Sequence, residues 1–419
     1  MSASGSHDGD DLAFVVVGGY EYAPGMNQPA TMTVRELARR YRVLNLHNDA
    51  HGSVLRRLQG RASHMGAAEI ARTVFGSMRP RRVEEHLWLA PVRGLAAIGS
   101  LSAPEMLRRR NVRVFSRIIR GWLSDVGAER CVLVFYWWAL PELVSTVPHV
   151  ASIYDCTDDH AVLPGALLPP GVVERLERRL LDAVDRSFVV SPALLEQRDS
   201  PGRQITVLPN GFDLAFFNEL RRKGFAVPEG VRSIPRPIVG YAGYISPRLD
   251  WDLLVELARR RPDWNFVFVG GDPRSAPERL ARLSNVFFHR SIPYPDALAA
   301  ISRFDVGIIP ARVERFSRGN SFLKLLDYFV HGIPVVATPL PDTSQVAADR
   351  PGLLQLAADP GEWEAAIAAA LEEPADSPLR DARVGYVEER SVDRRVARMI
   401  SETLEHARAS NGFASRTTP

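Results

Sequence analysis

The chain has 419 residues, 46% of them hydrophobic and 24% charged, so it can bury the cores of two or three domains and is not a disordered polyelectrolyte. A net charge of only +3 gives no reason to expect nucleic acid as a partner. No apolar run reaches the ~18 residues of a membrane span, residues 1–10 lack the basic and apolar segments of a signal peptide, and two cysteines, Cys131 and Cys156, are too few for a disulfide framework.

Residues 1–10 read as a disordered lead-in, and the cysteines as reduced core thiols of a cytoplasmic protein. Leu12–Val17 is an apolar run closed by Gly18-Gly19, followed by a helical pattern over Ala30–Tyr41 and a short strand at Val43–Leu46. A less regular, Arg-rich region runs to about Pro104. A helix is predicted over Glu105–Gly127, then strands at Cys131–Trp137 and His149–Tyr154. Further on come a helix at Gly171–Ala183 and strands at Arg186–Val190 and Ile205–Leu208. Residues 216–237, with three prolines near their end, read as a linker. The alternation then restarts. Strands are expected at Ile238–Ala242, Asn265–Val269, Val286–His289, Val306–Pro310 and Pro334–Ala337, with helices at Trp251–Arg260, Asp296–Ser302, Phe322–Val330 and Glu362–Glu372, and a long amphipathic helix over Ser391–Ala409.

Strands that are continuous apolar runs and alternate with helices predict parallel sheets covered on both faces. The chain is therefore expected to be α/β, with a first domain over 11–215, a second over 238–386, and a terminal helix, 387–410, crossing back to the first. Such sheets bind ligands beyond the carboxyl ends of their strands, so two of them face to face make a cleft.

Basic residues are almost all arginine; Lys223 and Lys324 are the only lysines, a skew that fits a GC-rich bacterial genome. One stretch, Ser53–Arg130, is strongly basic. It reads either as a solvated helix face or as a surface for an anionic acceptor or a membrane. Lys324 stands out by its surroundings, Asn320-Ser321-Phe322-Leu323-Lys324-Leu325-Leu326-Asp327-Tyr328. A lysine in the first turn of a helix can neutralise a diphosphate, and an acid three residues on shares its neighbourhood and can accept hydroxyl hydrogen bonds; the plain alternative is an i,i+3 surface pair. Gly240-Tyr241-Ala242-Gly243 closes a strand, and Arg248 lies just before a helix. Glycine there permits close approach of a phosphate and Arg248 adds a bidentate cation, although a plain strand–helix turn would look the same.

The segment Asp327 to Thr338 (DYFVHGIPVVAT) resembles the EYLAAGKPVVAT signature of family 4 glycosyltransferases of the GT-B fold. Leu208–Asp213 (LPNGFD) resembles their PNGVD segment, and Ile292-Pro293-Tyr294 with Phe304–Pro310 their "vpyeeLp…aDvgllP" stretch. The matches run in family order from about 130 to 345. The resemblance implies two Rossmann-like domains facing across a cleft. It also implies transfer of a hexosyl or amino-hexosyl group from a nucleoside diphosphate sugar to a small-molecule, lipid-linked or glycan hydroxyl, with retention and without a metal or cofactor. Arg248 and Lys324 then take the diphosphate, Asp327 the ribose and the Ile292–Tyr294 backbone the base. The donor set is Gly19, Gly243, Arg248, Pro293, Tyr294, Asn320, Ser321, Lys324 and Asp327.

Two departures qualify the match. The family pairs its acids as E-x7-E; Asp327 is the second, and the first falls on Gly319, with Asn320 or Glu314 as nearby substitutes. Where the family often has His-Asp, this chain reads Tyr154-Asp155-Cys156-Thr157-Asp158-Asp159-His160. That cluster reads as a group handling the acceptor proton (Asp155, Asp158, His160), as metal ligands of a GT-A enzyme, or as a turn and cap. The acceptor set is Tyr20, Asn27, Trp138 and Asp159, with Trp138 either a platform or core packing. Other readings of the same fold are a non-catalytic partner protein, which Gly319 favours, and a sugar-nucleotide epimerase or phosphorylase.

Overall fold

A computed structural model describes residues 11–19, 22, 26–48, 77–92, 105–162, 170–271, 276–290 and 292–410. The described residues form two sheets. The first runs β3-β4-β2-β1-β5-β6-β7-β8, built from β1 (Leu12–Gly19), β2 (Arg42–Asn48), β3 (Arg81–Glu84), β4 (Leu87–Val92), β5 (Arg130–Phe135), β6 (Ala151–Cys156), β7 (Arg186–Val189) and β8 (Ile205–Val207). All neighbours are parallel except the β3–β4 hairpin at the edge. The second runs β11-β10-β9-β12-β13-β14, all parallel, from β9 (Ile238–Ala242), β10 (Asn265–Val269), β11 (Val286–His289), β12 (Val306–Ile309), β13 (Val335–Ala337) and β14 (Leu354–Leu356).

Side chains alternate across each strand, so each sheet has two apolar faces. In the first, Val15, Leu133, Tyr154 and Cys156 pack on one side and Phe14, Val132, Ile153 and Phe188 on the other. That second side is covered by the helix Pro29–Ala38 and by the last helix, Val392–Ser410, whose Val396 and Met399 enter the same core. Two crossings join the lobes side by side. Phe212 N donates to Arg390 O at 2.9 Å, and Val392 N to Phe212 O at 2.9 Å.

Several elements differ from the sequence-based expectation. The Arg-rich region before Pro104 contains the β3–β4 hairpin. The stretch read as a linker, 216–237, holds most of one helix, Leu214–Lys223, and all of another, Glu229–Arg232. The first is capped by Asp213, whose carboxylate accepts from Phe216 N at 3.0 Å, and it ends in three basic residues before Gly224. Those are ordinary helix start and stop signals that the nearby prolines masked. Helices Pro192–Arg198, Pro341–Asp349 and Pro378–Glu389 each open on a proline, which suits the first helical position rather than a break. Both cysteines are buried and free, and burial pushes the Cys131 thiol up to about 12. Among the described residues no helix is long and apolar enough to cross a membrane. The lead-in 1–10, Tyr20 and most of the basic stretch before 105 lie outside the described residues.

Candidate active site

The carboxyl ends of both sheets face a cleft of about 1210 Å³. That is room for a nucleotide sugar and part of an acceptor, since sites for single small ligands span about 300–1,000 Å³. The first lobe contributes Met26, Asn27, Gln28, Pro29, Thr157 and Asp158, and the crossing adds Asn210. From the second lobe come the β9 and β10 ends (Gly243, Arg248, Gly270, Gly271), the segment after β11 (Arg290, Ile292–Tyr294) and the segment Asn320–Asp327.

Lys324 and Asp327 sit on the helix Leu323–Phe329, one turn apart and both facing the cleft. The helix is held from behind. Ala242 N donates to Tyr328 Oη at 2.8 Å, and Phe322 N to the buried Asp342 carboxylate at 2.9 Å. The Lys324 ammonium lies 5.4 Å from the ring centre of Tyr241 and 5.2 Å from that of Phe322. No carboxylate among the described residues comes within ion-pair distance of it. Burial drives its pKa down to about 8, with Asp327 opposing and Arg248 reinforcing the fall. Burial likewise pushes Asp327 up to about 7, against the hydrogen bond from Tyr294, the charge of Lys324 and the bond from Asn27. Lys324 therefore has no carboxylate partner among the described residues, whereas Asp327 is met by Tyr294 and Asn27. Arg248 stacks on Phe316, its guanidinium carbon 3.8 Å from the ring centre, and its Nε has no partner among the described residues.

Gly243 has φ +144, and a Cβ there would come 3.3 Å from Lys324 Cε, so the glycine lets the lysine reach the loop. Gly18, with φ +86, has no room for any Cβ because Trp137 packs directly on it.

Of the donor set, Gly243, Arg248, Pro293, Tyr294, Asn320, Ser321, Lys324 and Asp327 all line the cleft. Gly19 ends β1. The first-lobe assignments need correction. Asp155 is fully buried, on the face of β6 covered by the last helix. Arg395 donates to both its oxygens at 2.7 and 2.8 Å and also to Pro209 O at 2.9 Å. Strand alternation turns it away from the cleft, so it cannot touch a reacting atom. Asp159 is also buried, held by Arg315 Nε at 2.9 Å and by Arg198 at 3.5 Å, and is not an acceptor contact. His160 opens the short turn His160–Val162 behind the wall, its Nε2 buried without a partner among the described residues. Trp138 packs in the core of the first sheet and is no platform. Of the three acids and the histidine in the cluster, Asp158 lines the cleft, half-buried, its carboxyl raised by burial against the charges of His160 and Arg248. The three carboxylates do not converge, and among the described residues no group of acids, histidines and cysteines is placed to hold a metal ion.

Asn27 is the other reassignment. Its Nδ2 donates to Asp327 Oδ1 at 3.2 Å, so it meets the carboxylate of the opposite lobe. Gly319 is buried at the lobe contact, where a Cβ would lie 3.0 Å from Leu194 Cδ2; its carbonyl accepts from Ser191 Oγ at 2.9 Å. A side chain there would need the Leu194 side chain to give way. Asn320 lines the cleft, and Glu314 is exposed outside it. Sequence reasoning missed Thr157, Asn210, Arg290 and Phe316. Asn210 was within reach, since it lies in the quoted LPNGFD segment; its amide donates to Ser321 O at 3.0 Å and ties the crossing to the donor wall.

Residues 236–373 match the family described as Glycosyl transferases group 1. A curated Bacillus subtilis protein with the provisional name of teichuronic acid biosynthesis glycosyltransferase TuaH is 28% identical over 237 residues, which cover 53% of this chain and 59% of that relative. Among solved structures, sucrose-phosphate synthase from Thermosynechococcus elongatus superposes with a TM-score of 0.65 at 16% identity, over 95% of this chain and 100% of that one. The α,α-trehalose-phosphate synthase (UDP-forming) of Burkholderia vietnamiensis gives 0.65 at 12% identity, over 94% and 99%. Anabaena Alr3699/HepE, in complex with UDP and glucose, gives 0.59 at 15% identity, over 93% and 99%. The fold is GT-B.

Proposed function

We propose that this GT-B chain is a glycosyltransferase of the family 4 type, and that it moves a hexosyl or amino-hexosyl group from a nucleoside diphosphate sugar to an acceptor hydroxyl, with retention. The observation that carries this reading is the half-buried Lys324 one turn from the buried Asp327 in the interlobe cleft, with Arg248 and Gly243 beside them. A diphosphate supplies the anion that Lys324 and Arg248, which reach the cleft from separate elements, both lack. Asp327 accepts from ribose hydroxyls. Transfer breaks the bond between C1 and the diphosphate oxygen and forms one between C1 and the acceptor oxygen. Asp158 takes the acceptor's proton, its raised pKa suiting a base, and passes it to the released diphosphate. Stabilisation by fixed cations makes a metal unnecessary.

UDP-sugars are the donors to try first, because HepE binds UDP and glucose. Titration calorimetry with UDP-glucose should show affinity falling by at least about 100-fold in Lys324→Ala and in Asp327→Ala, the scale of losing a charged hydrogen-bonded contact. Wild-type affinity in both variants removes the assignment.

A cytoplasmic location at the inner membrane face suits a lipid-linked acceptor. The helix Glu105–Asp125 exposes Arg109, Arg110, Arg113, Arg117 and Arg120, at about 1 kcal/mol per residue against anionic lipid. Cosedimentation with phosphatidylglycerol vesicles should be salt-sensitive and lost in an Arg110→Glu, Arg113→Glu, Arg117→Glu variant; undiminished binding of that variant excludes this face.

A further inference from the structure

Asp327 and Asn27 reach the middle of the cleft from opposite lobes. Asp327 Oδ1 accepts twice, from Tyr294 Oη at 2.7 Å and from Asn27 Nδ2 at 3.2 Å. Its Oδ2 has only the same amide nitrogen, at 3.5 Å. A carboxylate accepts and never donates, so the amide turns its NH₂ toward Asp327. That orientation leaves Asn27 Oδ1 buried with no partner among the described residues. Two under-used acceptor oxygens, one on each lobe, therefore stand side by side. Their complement is a pair of neighbouring O–H donors, the signature of a vicinal diol.

The frame around them is tied across the cleft. Asn27 lies two residues before the helix Pro29–Ala38. Arg35 of that helix pairs with Asp213 and lies over the ring of Phe216 at 4.9 Å. Phe216 stacks on Tyr294, with centroids 6.2 Å apart and planes within 10°. The residue that fixes Asp327 is thus buttressed by the helix that follows Asn27.

We propose that Asn27 and Asp327 form a two-lobe clamp on the ribose diol, and that Asn27 sets the preference for ribonucleotides over deoxyribonucleotides. The proposal rests on the donor reading above and adds a determinant from the lobe that does not carry the donor motif. Asn27 Oδ1 accepts from one hydroxyl and Asp327 Oδ2 from the other, while the amide NH₂ stays on Asp327.

The test is titration calorimetry of the whole chain with UDP, 2′-deoxy-UDP and 3′-deoxy-UDP, with the guanosine series alongside. Wild type, Asn27→Ala and Lys324→Ala are compared, with thermal melting as a folding control. Wild type should favour the ribonucleotide about 30-fold over the analogue that lacks the clamped hydroxyl, as expected when a buried acceptor loses its donor. Asn27→Ala should bind the ribonucleotide about tenfold less tightly, bind that analogue almost unchanged, and so compress the ratio to about threefold. Lys324→Ala should weaken all nucleotides alike and leave the ratio intact. An unchanged ratio in Asn27→Ala overturns the clamp. A gain in affinity also overturns it, because the amide would then merely block Asp327. If Asn27→Ala weakens UDP-glucose but not UDP, the diol belongs to the transferred sugar and the ribose assignment is wrong. Failure of every nucleotide to bind wild type, or indifference to Lys324→Ala, sinks the donor reading itself and the clamp with it.

Discussion

The two walls of the cleft are built on opposite plans. The second-lobe wall concentrates its chemistry: Asn320, Ser321, Lys324 and Asp327 lie on one short segment, held from behind by Tyr328 and Asp342. On the first-lobe wall, charge is concentrated in the sequence and dispersed in space. Asp155, Asp158 and Asp159 fall within five residues, yet one clasps the last helix, one faces the cleft and one joins Arg198 and Arg315. A run of acids says little about function until its partners are known, because strand alternation and distant guanidiniums divide the roles. A donor diphosphate, by contrast, is the same chemistry in any nucleotide sugar and can be served by one local motif.

The sharpest way to break this contrast is to neutralise neighbouring acids separately. Asp155→Asn leaves Arg395 buried without its counter-charge. Removal of one partner from such a pair costs about 3–5 kcal/mol, a large part of the 5–15 kcal/mol that holds a typical domain. Arg395→Ala should cost a similar amount, and the two losses should not add in the double variant. Asp158→Asn touches no such pair. It should melt close to wild type while turnover falls by about 10²–10⁴, the contribution of a positioned proton acceptor. Thermal melting and initial rates on the same preparations separate the two acids. An Asp155→Asn protein with wild-type melting and lost turnover would reverse their roles.

The legible parts of this molecule were the local ones. Buried parallel strands are continuous apolar runs, so most of the predicted strands lie within a residue or two of the observed ones, and the donor segment was contiguous enough to read directly. The β3–β4 hairpin was not, because Arg81 and Arg82 put charges in an exposed edge strand. Pairings across the chain left no trace in the sequence. Asp155 and Arg395 are separated by 240 residues, and Asn27 and Asp327 by 300. Gly319 illustrates the limit from the other side. Its departure from the family's acid was visible, but its setting, with Leu194 3.0 Å from where a side chain would start, is a contact between lobes.

The same contrast predicts where pH acts, with a smaller effect. Donor affinity should follow the second-lobe pair, because both of its members titrate near neutrality. In the empty cleft Asp327 ionises as pH rises through about 7, and Lys324 loses its proton above about 8. A nucleotide sugar needs Asp327 ionised and Lys324 charged. Below the lower value binding must therefore expel a proton, and above the upper one it must take a proton up. Affinity should peak between the two and fall toward tenfold per pH unit on either side, since each unit costs 1.36 kcal/mol. UDP-glucose is the better probe than UDP, because its diphosphate has no terminal phosphate proton to lose in this range. Lys324→Arg keeps a permanent cation in place, so even if it binds more weakly overall, its alkaline limb should vanish while the acid limb stays. A Lys324→Arg profile that still falls above pH 8 would show that another group governs that limb, and would detach the lysine from the diphosphate.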